Sequence, residues 1–466
     1  MLDRFWRCEK VKNTKKPTTR KYEIMQTNIE AEGQGFVVER RKSRMPLQPA
    51  TIEETGLGSQ FLVELLVKIL YLHGQVRLAE LVDFLRLPFA IIEPMLAFVR
   101  SEQMCEVSRS SGAETATSYN LTDLGRKRAE DYLKKSQYAG PAPVSLNAYV
   151  EQVRMQSVSN MGVTHEQLAQ AFNGLIVNSA ILKQFGAAMN SGRAIFVYGP
   201  SGSGKTFIAE HLAKLLSGDV AIPHAILVDN EVIQIFDPLI HHPVLENAAI
   251  SGSGLELDRR KSSDGRWVMC HRPVVKTGGE LTLSMLDLDF EENRRFYQAP
   301  PQVRANNGLL IIDDLGRQLA PAIEIMNRWI VPLDRHVDYL ALHTGKKFML
   351  PFDVIVVFST NMPPSKLADD AFLRRLGYKI YVGAMSEEEY RLITQQVCQE
   401  LDIPFSEDGF RYLLHGHHYK EDRALYACIP RDILEQIRDI ARYEGVRAEM
   451  TSELLDWAWN NYFAHD

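Results

Sequence analysis

Ala194-Ile-Phe-Val-Tyr-Gly-Pro-Ser-Gly-Ser-Gly-Lys-Thr206 runs from a short apolar stretch into a glycine-rich turn and then into the helical pattern of Phe207 to Leu216. Within it, Gly199, Pro200, Ser201, Gly202, Ser203, Gly204, Lys205 and Thr206 satisfy G-x-x-x-x-G-K-[ST] in full. The glycines leave backbone N–H groups free to cradle phosphate, and the N-terminus of the following helix adds positive potential. Lys205 is placed for β- and γ-phosphates and Thr206 for Mg²⁺. A chance Gly/Ser turn would not bring strand, loop and helix in this order, so a nucleoside triphosphate, ATP or GTP, is the expected ligand.

A second strand-like run, Gly308-Leu-Leu-Ile-Ile-Asp-Asp314, ends in two carboxylates. Beside a phosphate loop this pattern supplies Mg²⁺ binding and water polarisation. Asp313 is the residue expected on the metal side, and Asp314 is expected to orient or deprotonate the attacking water. A third run, Val354-Ile-Val-Val-Phe358, leads into Ser359-Thr-Asn361. Asn361 thereby falls at a strand end, where open α/β sheets bind ligands.

Composition sets the frame for these motifs. The chain has 466 residues, 45% of them hydrophobic, and a net charge of −6. That is enough for several cores and implies two to four domains. The run Phe61 to Leu72 is interrupted by Glu64 and Lys68 and is too short to cross a bilayer, so no membrane insertion and a cytoplasmic location are expected. Cys8, Cys105, Cys270, Cys398 and Cys428 form no C-x-x-C pair, which argues for reduced thiols rather than zinc or disulfides. His241-His242 and His415-Gly-His-His418 lack zinc-ligand spacing and read as surface loops.

Residues 1–54 form the one basic segment, with Lys10-Val-Lys-Asn-Thr-Lys-Lys16 and Arg40-Arg-Lys42, and read as a flexible arm. Residues 55–136 give three short helices, a hairpin and a closing helix. The Ser108 to Thr115 turn resembles the wing of a winged helix-turn-helix domain. Its Phe89 to Arg100 helix offers one Arg against one Glu, a poor footprint for DNA, so protein docking is the favoured role. Ala139-Gly-Pro-Ala-Pro143 opens a linker and lead-in helix, residues 137–163. Residues 164–384 read as an α/β P-loop unit, a parallel sheet with helices on both faces, and 385–466 as a helical lid.

From about Thr164 to Phe463 the chain resembles the AAA+ ATPases. The resemblance rests on the phosphate loop, the acidic strand, Asn361, the paired arginines of Asp370-Ala-Phe-Leu-Arg-Arg-Leu376, and Ile429-Pro-Arg-Asp-Ile-Leu434 in the lid. It implies that Asn361 is a first sensor, that Arg374 or Arg375 is an arginine finger acting on a neighbouring subunit, and that Arg431 is a second sensor. Asp314 stands where the family commonly has Glu, which implies slower turnover rather than loss of nucleotide binding.

Val337 to Phe352, turning at His343-Thr-Gly-Lys346, is a hairpin signature. It resembles the pre-sensor-1 hairpin of one AAA+ branch. A second segment, Leu255 to Pro301, reads either as a further hairpin able to face a central pore or as a plain structural insertion. The resemblance implies an ATPase dependent on ATP and Mg²⁺. It implies a homo-oligomer, a ring or partial ring with the hexamer as one form, that remodels a protein client. The alternative is a nucleotide-controlled DNA-binding regulator using the winged-helix-like domain.

Overall fold

The computed structural model describes residues 45–109, 117–244, 263–367 and 370–463. Its centre is a parallel sheet of five strands in the order Val274–Thr277, Leu309–Ile312, Ile355–Thr360, Ile195–Tyr198 and Tyr378–Tyr381. The three central strands, Leu309–Ile312, Ile355–Thr360 and Ile195–Tyr198, are buried along nearly their whole length because both faces are covered, whereas the edge strands carry Lys276 and Lys379. Ile195, Val197, Ile311, Val357 and Ile380 face the helices carrying Phe185, Ile208 and Leu212. The alternate residues Phe196, Leu310, Ile312, Val356 and Phe358 face Ile325, Met326 and Trp329 of the Ala322–Arg335 helix. Helices therefore lie on both faces of a parallel α/β sheet, as the sequence implies.

The N-terminal module consists of helices Ser59–His73, Leu78–Leu85 and Phe89–Ser101, a three-stranded antiparallel sheet, and helix Asp123–Lys135. Most of the expected wing turn, residues 110–116, lies outside the described residues. The C-terminal region is helical, with Glu387–Glu400, Glu407–Tyr412, Ile429–Glu444 and Ser452–Tyr462 around a core of Tyr390, Ile433, Leu455 and Trp459.

Four features depart from the sequence reading. A second sheet of five strands, ordered Asp289–Glu291, Phe296–Gln298, Glu231–Gln234, Ala225–Val228 and Val144–Ser145, stands beside the parallel one. Its edge strand comes from the segment read as linker. The N-terminal core incorporates Ala225, Val232 and Phe296 from this sheet, and the Ala142 N–H donates to the Leu85 carbonyl at 2.9 Å. Proline and glycine here mark tight packing rather than freedom.

The basic arm lies mainly outside the described residues, but its expected last ten residues do not. The Asp264 N–H donates to the Pro46 carbonyl at 2.9 Å, and Leu47 bridges to Ser263. Buried Arg266 pairs with Asp264 at 2.8 Å and also donates to the carbonyls of Thr55 and Pro143 at 3.0 and 3.2 Å.

Within the Leu255 to Pro301 segment the described antiparallel hairpin is Asp289–Glu291 with Phe296–Gln298, not the stretch around Lys276 to Gly279. Trp267–His271 pairs antiparallel with Asp219–Pro223, whereas Val274–Thr277 joins the parallel sheet beside Leu309–Ile312. Pro273 separates two strands that serve different sheets, so alternation within each run did not reveal its partner. The Val337–Ala341 and Lys347–Pro351 strands do form the expected hairpin.

The histidine runs are surface features only in part: His242 and His415 are exposed, but the other histidines of these runs are not. His241 and His418 are fully buried. His241 Nδ1 accepts from the Asp237 N–H at 2.8 Å, and its Nε2 lies 2.9 Å from the Arg304 carbonyl. His418 bonds Tyr390 Oη at 2.8 Å and the Arg423 carbonyl at 3.1 Å. Among the described residues no group of three or more His, Cys, Asp or Glu is placed to hold a metal, and no helix is long and apolar enough to cross a membrane. Cys105, Cys270, Cys398 and Cys428 are free thiols.

Candidate nucleotide site

The site is assembled by register. Ile312 pairs with Phe358, and Thr360 with Tyr198. Asp313, Asn361 and Gly199 consequently emerge at the same, C-terminal, edge of three neighbouring strands. Gly199 must be glycine, because a Cβ there would stand 2.0 Å from the Val382 carbonyl oxygen. Gly202 and Gly204 have φ of 78° and 90°, conformations that bend the loop and free its N–H groups.

Lys205 opens the Lys205–Leu212 helix. Its Nζ donates to the Pro200 carbonyl at 2.7 Å, and Ser203 Oγ donates to the same carbonyl at 2.9 Å. Burial lowers the Lys205 pKa, while the nearby charges of Asp314 and Asp313 act in the opposite direction. Thr206 Oγ1 donates to Asp313 Oδ1 at 2.9 Å, joining the loop to the acidic strand. Burial disfavours a charge on Asp313, but hydrogen bonds from Ser359, Thr206 and the Asp314 N–H, with Lys276 nearby, hold its pKa below the usual carboxylate range.

Asp314 differs from its neighbour. It has φ of 49° and is exposed, so its side chain is open to solvent at the strand end. Asn361 is half-buried directly after the Ile355–Thr360 strand. Ser201 is exposed at the loop tip.

The lid meets the phosphate loop directly. The Cys428 N–H donates to the Gly202 carbonyl at 3.2 Å, and Ala427 is the nearest neighbour to a Cβ built on Gly204, at 4.0 Å. Arg431, three residues on, pairs with Glu400 and lies 3.8 Å from Glu435. Its guanidinium is thus held within the lid.

Arg374 and Arg375 lie elsewhere. They line a cavity of about 520 Å³ with Arg193, Ala194, Asp334 and Val354, at the N-terminal edge of the strands whose other ends carry Gly199 and Asn361. Arg375 Nε donates to Asp334 at 2.6 Å. The structure therefore brings the phosphate loop, Asp313, Asp314 and Asn361 to one edge and sets the two arginines at the opposite edge.

Sequence reading missed Lys276, Glu210 and Ser359. Glu210 shares a helix face with Thr206, one turn away, a spacing visible in the sequence. Lys276 Nζ lies 2.7 Å from Glu210 and 3.4 Å from Asp313, and its pKa is raised, first by the hydrogen bond to Glu210. No local signal identifies its strand as the neighbour of the acidic strand.

Residues 386–461 match a family described as a domain of unknown function, DUF8689. No curated protein matches the chain significantly. Among solved structures, NtrX from Brucella abortus is similar at 14% identity over 64% of this chain, with a TM-score of 0.39. Its ADP complex gives 14% identity over 65% of this chain, 58% of that chain and a TM-score of 0.38. RuvB from Thermotoga maritima, a Holliday junction branch migration motor, gives 12% identity over 67% of this chain, 74% of that chain and a TM-score of 0.34. The match spans only 57% of the NtrX chain. The fold itself is mixed α/β, a parallel sheet flanked by helices with a helical C-terminal region.

Proposed function

We propose that this chain is an ATP-binding and ATP-hydrolysing AAA+ protein that assembles into a ring or partial ring in the cytoplasm and remodels a protein client. The observation that carries the nucleotide reading is the Thr206–Asp313 hydrogen bond at 2.9 Å, which ties the phosphate loop to the acidic strand.

The loop N–H groups from Gly202 to Thr206 bind phosphate oxygens, which replace the Pro200 carbonyl as partner of Lys205. Thr206 and Asp313 offer hard oxygen donors that fit Mg²⁺. When bound, this ion neutralises charge on the β- and γ-phosphates. Asp314 orients the attacking water and accepts its proton, and its solvent-facing position suits that role. Asn361 holds the water or senses the γ-phosphate. Arg374 and Arg375 sit at the wrong edge to reach their own loop, which supports action on a neighbouring subunit. Arg431 contributes from the lid by exchanging Glu400 for phosphate.

The Val337 to Pro351 hairpin is consistent with the pre-sensor-1 branch. Its turn is held against the second sheet: the His343 N–H donates to Tyr297 Oη at 2.9 Å, the His343 ring stacks on Phe290, and Lys346 pairs with Asp229. Force on a client would accordingly pass through hairpin and sheet together. In the winged-helix-like module the Phe89–Ser101 helix exposes Phe89 and Phe98, which favours a protein surface over nucleic-acid phosphates as its partner.

Calorimetric titration with ATP tests this reading. The wild type should bind ATP and Lys205→Ala should not; equal affinity in both would remove the phosphate loop from the site.

A further inference from the structure

Lys276 places a fixed cation against the carboxylate expected to serve the metal. Asp313 Oδ1 is taken by the Thr206 hydroxyl and the Asp314 N–H, at 2.9 and 3.0 Å. Lys276 Nζ stands 3.4 Å from Oδ2, the other oxygen. The ammonium is held from its far side by Glu210, at 2.7 Å, on the helix that begins with Lys205. Register fixes the approach: Lys276 pairs with Ile311 and Thr277 with Ile312, and the Asp313 N–H donates to the Thr277 carbonyl at 2.8 Å. Three elements therefore converge on one ammonium group: the edge strand, the helix of the phosphate loop and the acidic strand.

We propose that Lys276 is a positioning residue that occupies Asp313 before nucleotide arrives and so keeps the empty site from taking up a divalent cation alone. This rests on the nucleotide-site reading above. A divalent cation entering beside Asp313 meets the charge of Lys276 a few ångströms away. Even at the dielectric constant of water, a single and a double charge about 5 Å apart repel enough to weaken binding by roughly tenfold. Triphosphate brings several negative charges of its own, which offset the ammonium and let cation and nucleotide enter together. Lys276 can then turn wholly to Glu210 without leaving its strand.

The test uses the full chain, with Mn²⁺ as the probe and the loss of its free-ion paramagnetic resonance signal as the readout. Without nucleotide, Lys276→Met should bind Mn²⁺ about tenfold more tightly than the wild type, by the same repulsion. Lys276→Arg, which keeps the charge, should behave as the wild type, and adding Asp313→Asn to Lys276→Met should abolish the gain. Lys276→Gln provides the same comparison if the methionine variant does not fold. Equal Mn²⁺ affinity in wild type and Lys276→Met, or no detectable binding to either, would overturn the proposal. A parallel ATP titration of Lys205→Ala separates the two readings: retained ATP binding there speaks against the nucleotide site itself, whatever Mn²⁺ does.

Discussion

The backbone N–H of Cys428 donates to the carbonyl of Gly202 at 3.2 Å, so the helical lid rests on the phosphate loop itself. A Cβ on Gly202 would lie 2.4 Å from Cys428 Sγ, on a residue with φ of +78°. Gly202→Ala should therefore cost about 1–2 kcal/mol from the left-handed backbone alone, with a further steric penalty from the thiol. Adding Cys428→Ala should recover only the steric part. Thermal unfolding and ATP affinity of the single and double variants check this; an unaffected Gly202→Ala protein would show that loop and lid do not meet in solution.

The two carboxylates should separate binding from chemistry. Asp314→Asn should leave ATP affinity within about threefold and lower turnover by at least 10²-fold, a typical contribution for a general base. Steady-state phosphate release and calorimetry distinguish the outcomes. Loss of ATP binding by folded Asp314→Asn would contradict the division of roles with Asp313.

Arg375 is engaged by Asp334, whereas Arg374 is exposed. Arg374→Ala is thus expected to lower phosphate release by about 10³-fold, as for arginine fingers in general. Arg375→Ala breaks a partly exposed pair worth about 0–1 kcal/mol, and Asp334→Asn should reproduce its milder effect. If instead Arg375→Ala carries the large loss and Arg374→Ala does not, the assignment reverses.

Much of the candidate site's geometry was legible because its signals are local. Lys205 and Thr206 follow their glycines in sequence, and Asp313 ends its own apolar run. What stayed hidden was pairing between distant segments. Trp267 to Val275 reads as a single run leading into a turn at Lys276 to Gly279, yet Pro273 divides it between two sheets. For the same reason Lys276 gave no sign that it faces Asp313. The Ala139 to Pro143 segment has a linker's composition but supplies packing and the approach to an edge strand. His418 lies in a polar run of sequence, yet its ring packs on Trp459 at a centroid distance of 4.8 Å.

The buried Arg266–Asp264 pair should be a strong point of attachment for the N-terminal module. Asp264→Ala leaves the guanidinium buried without its counter-ion and is expected to destabilise the chain by about 3–5 kcal/mol. Replacing both residues with apolar ones should cost less. Denaturant unfolding of the two variants measures the difference; equal losses would argue against an uncompensated charge.

Burial lowers the pKa of His418 and His224 to about 4, against an ordinary value near 6.5. The unfolded chain therefore binds more protons between these values. Stability is present above pH 6.5 and falls as pH drops toward 4, with a limiting slope of about 1.4 kcal/mol per pH unit for each histidine. Unfolding midpoints across this window should decline, and His418→Gln should flatten the decline. A decline of the same steepness in that variant would assign the effect to other groups.

A site shared between subunits is tested most directly by mixing Lys205→Ala with Arg374→Ala and measuring steady-state phosphate release after subunit exchange is confirmed. Each variant alone should be nearly inactive. The mixture should regain activity at interfaces where an intact phosphate loop meets an intact Arg374. Phosphate release no greater than the sum of the separate variants, at every mixing ratio, would contradict a composite site.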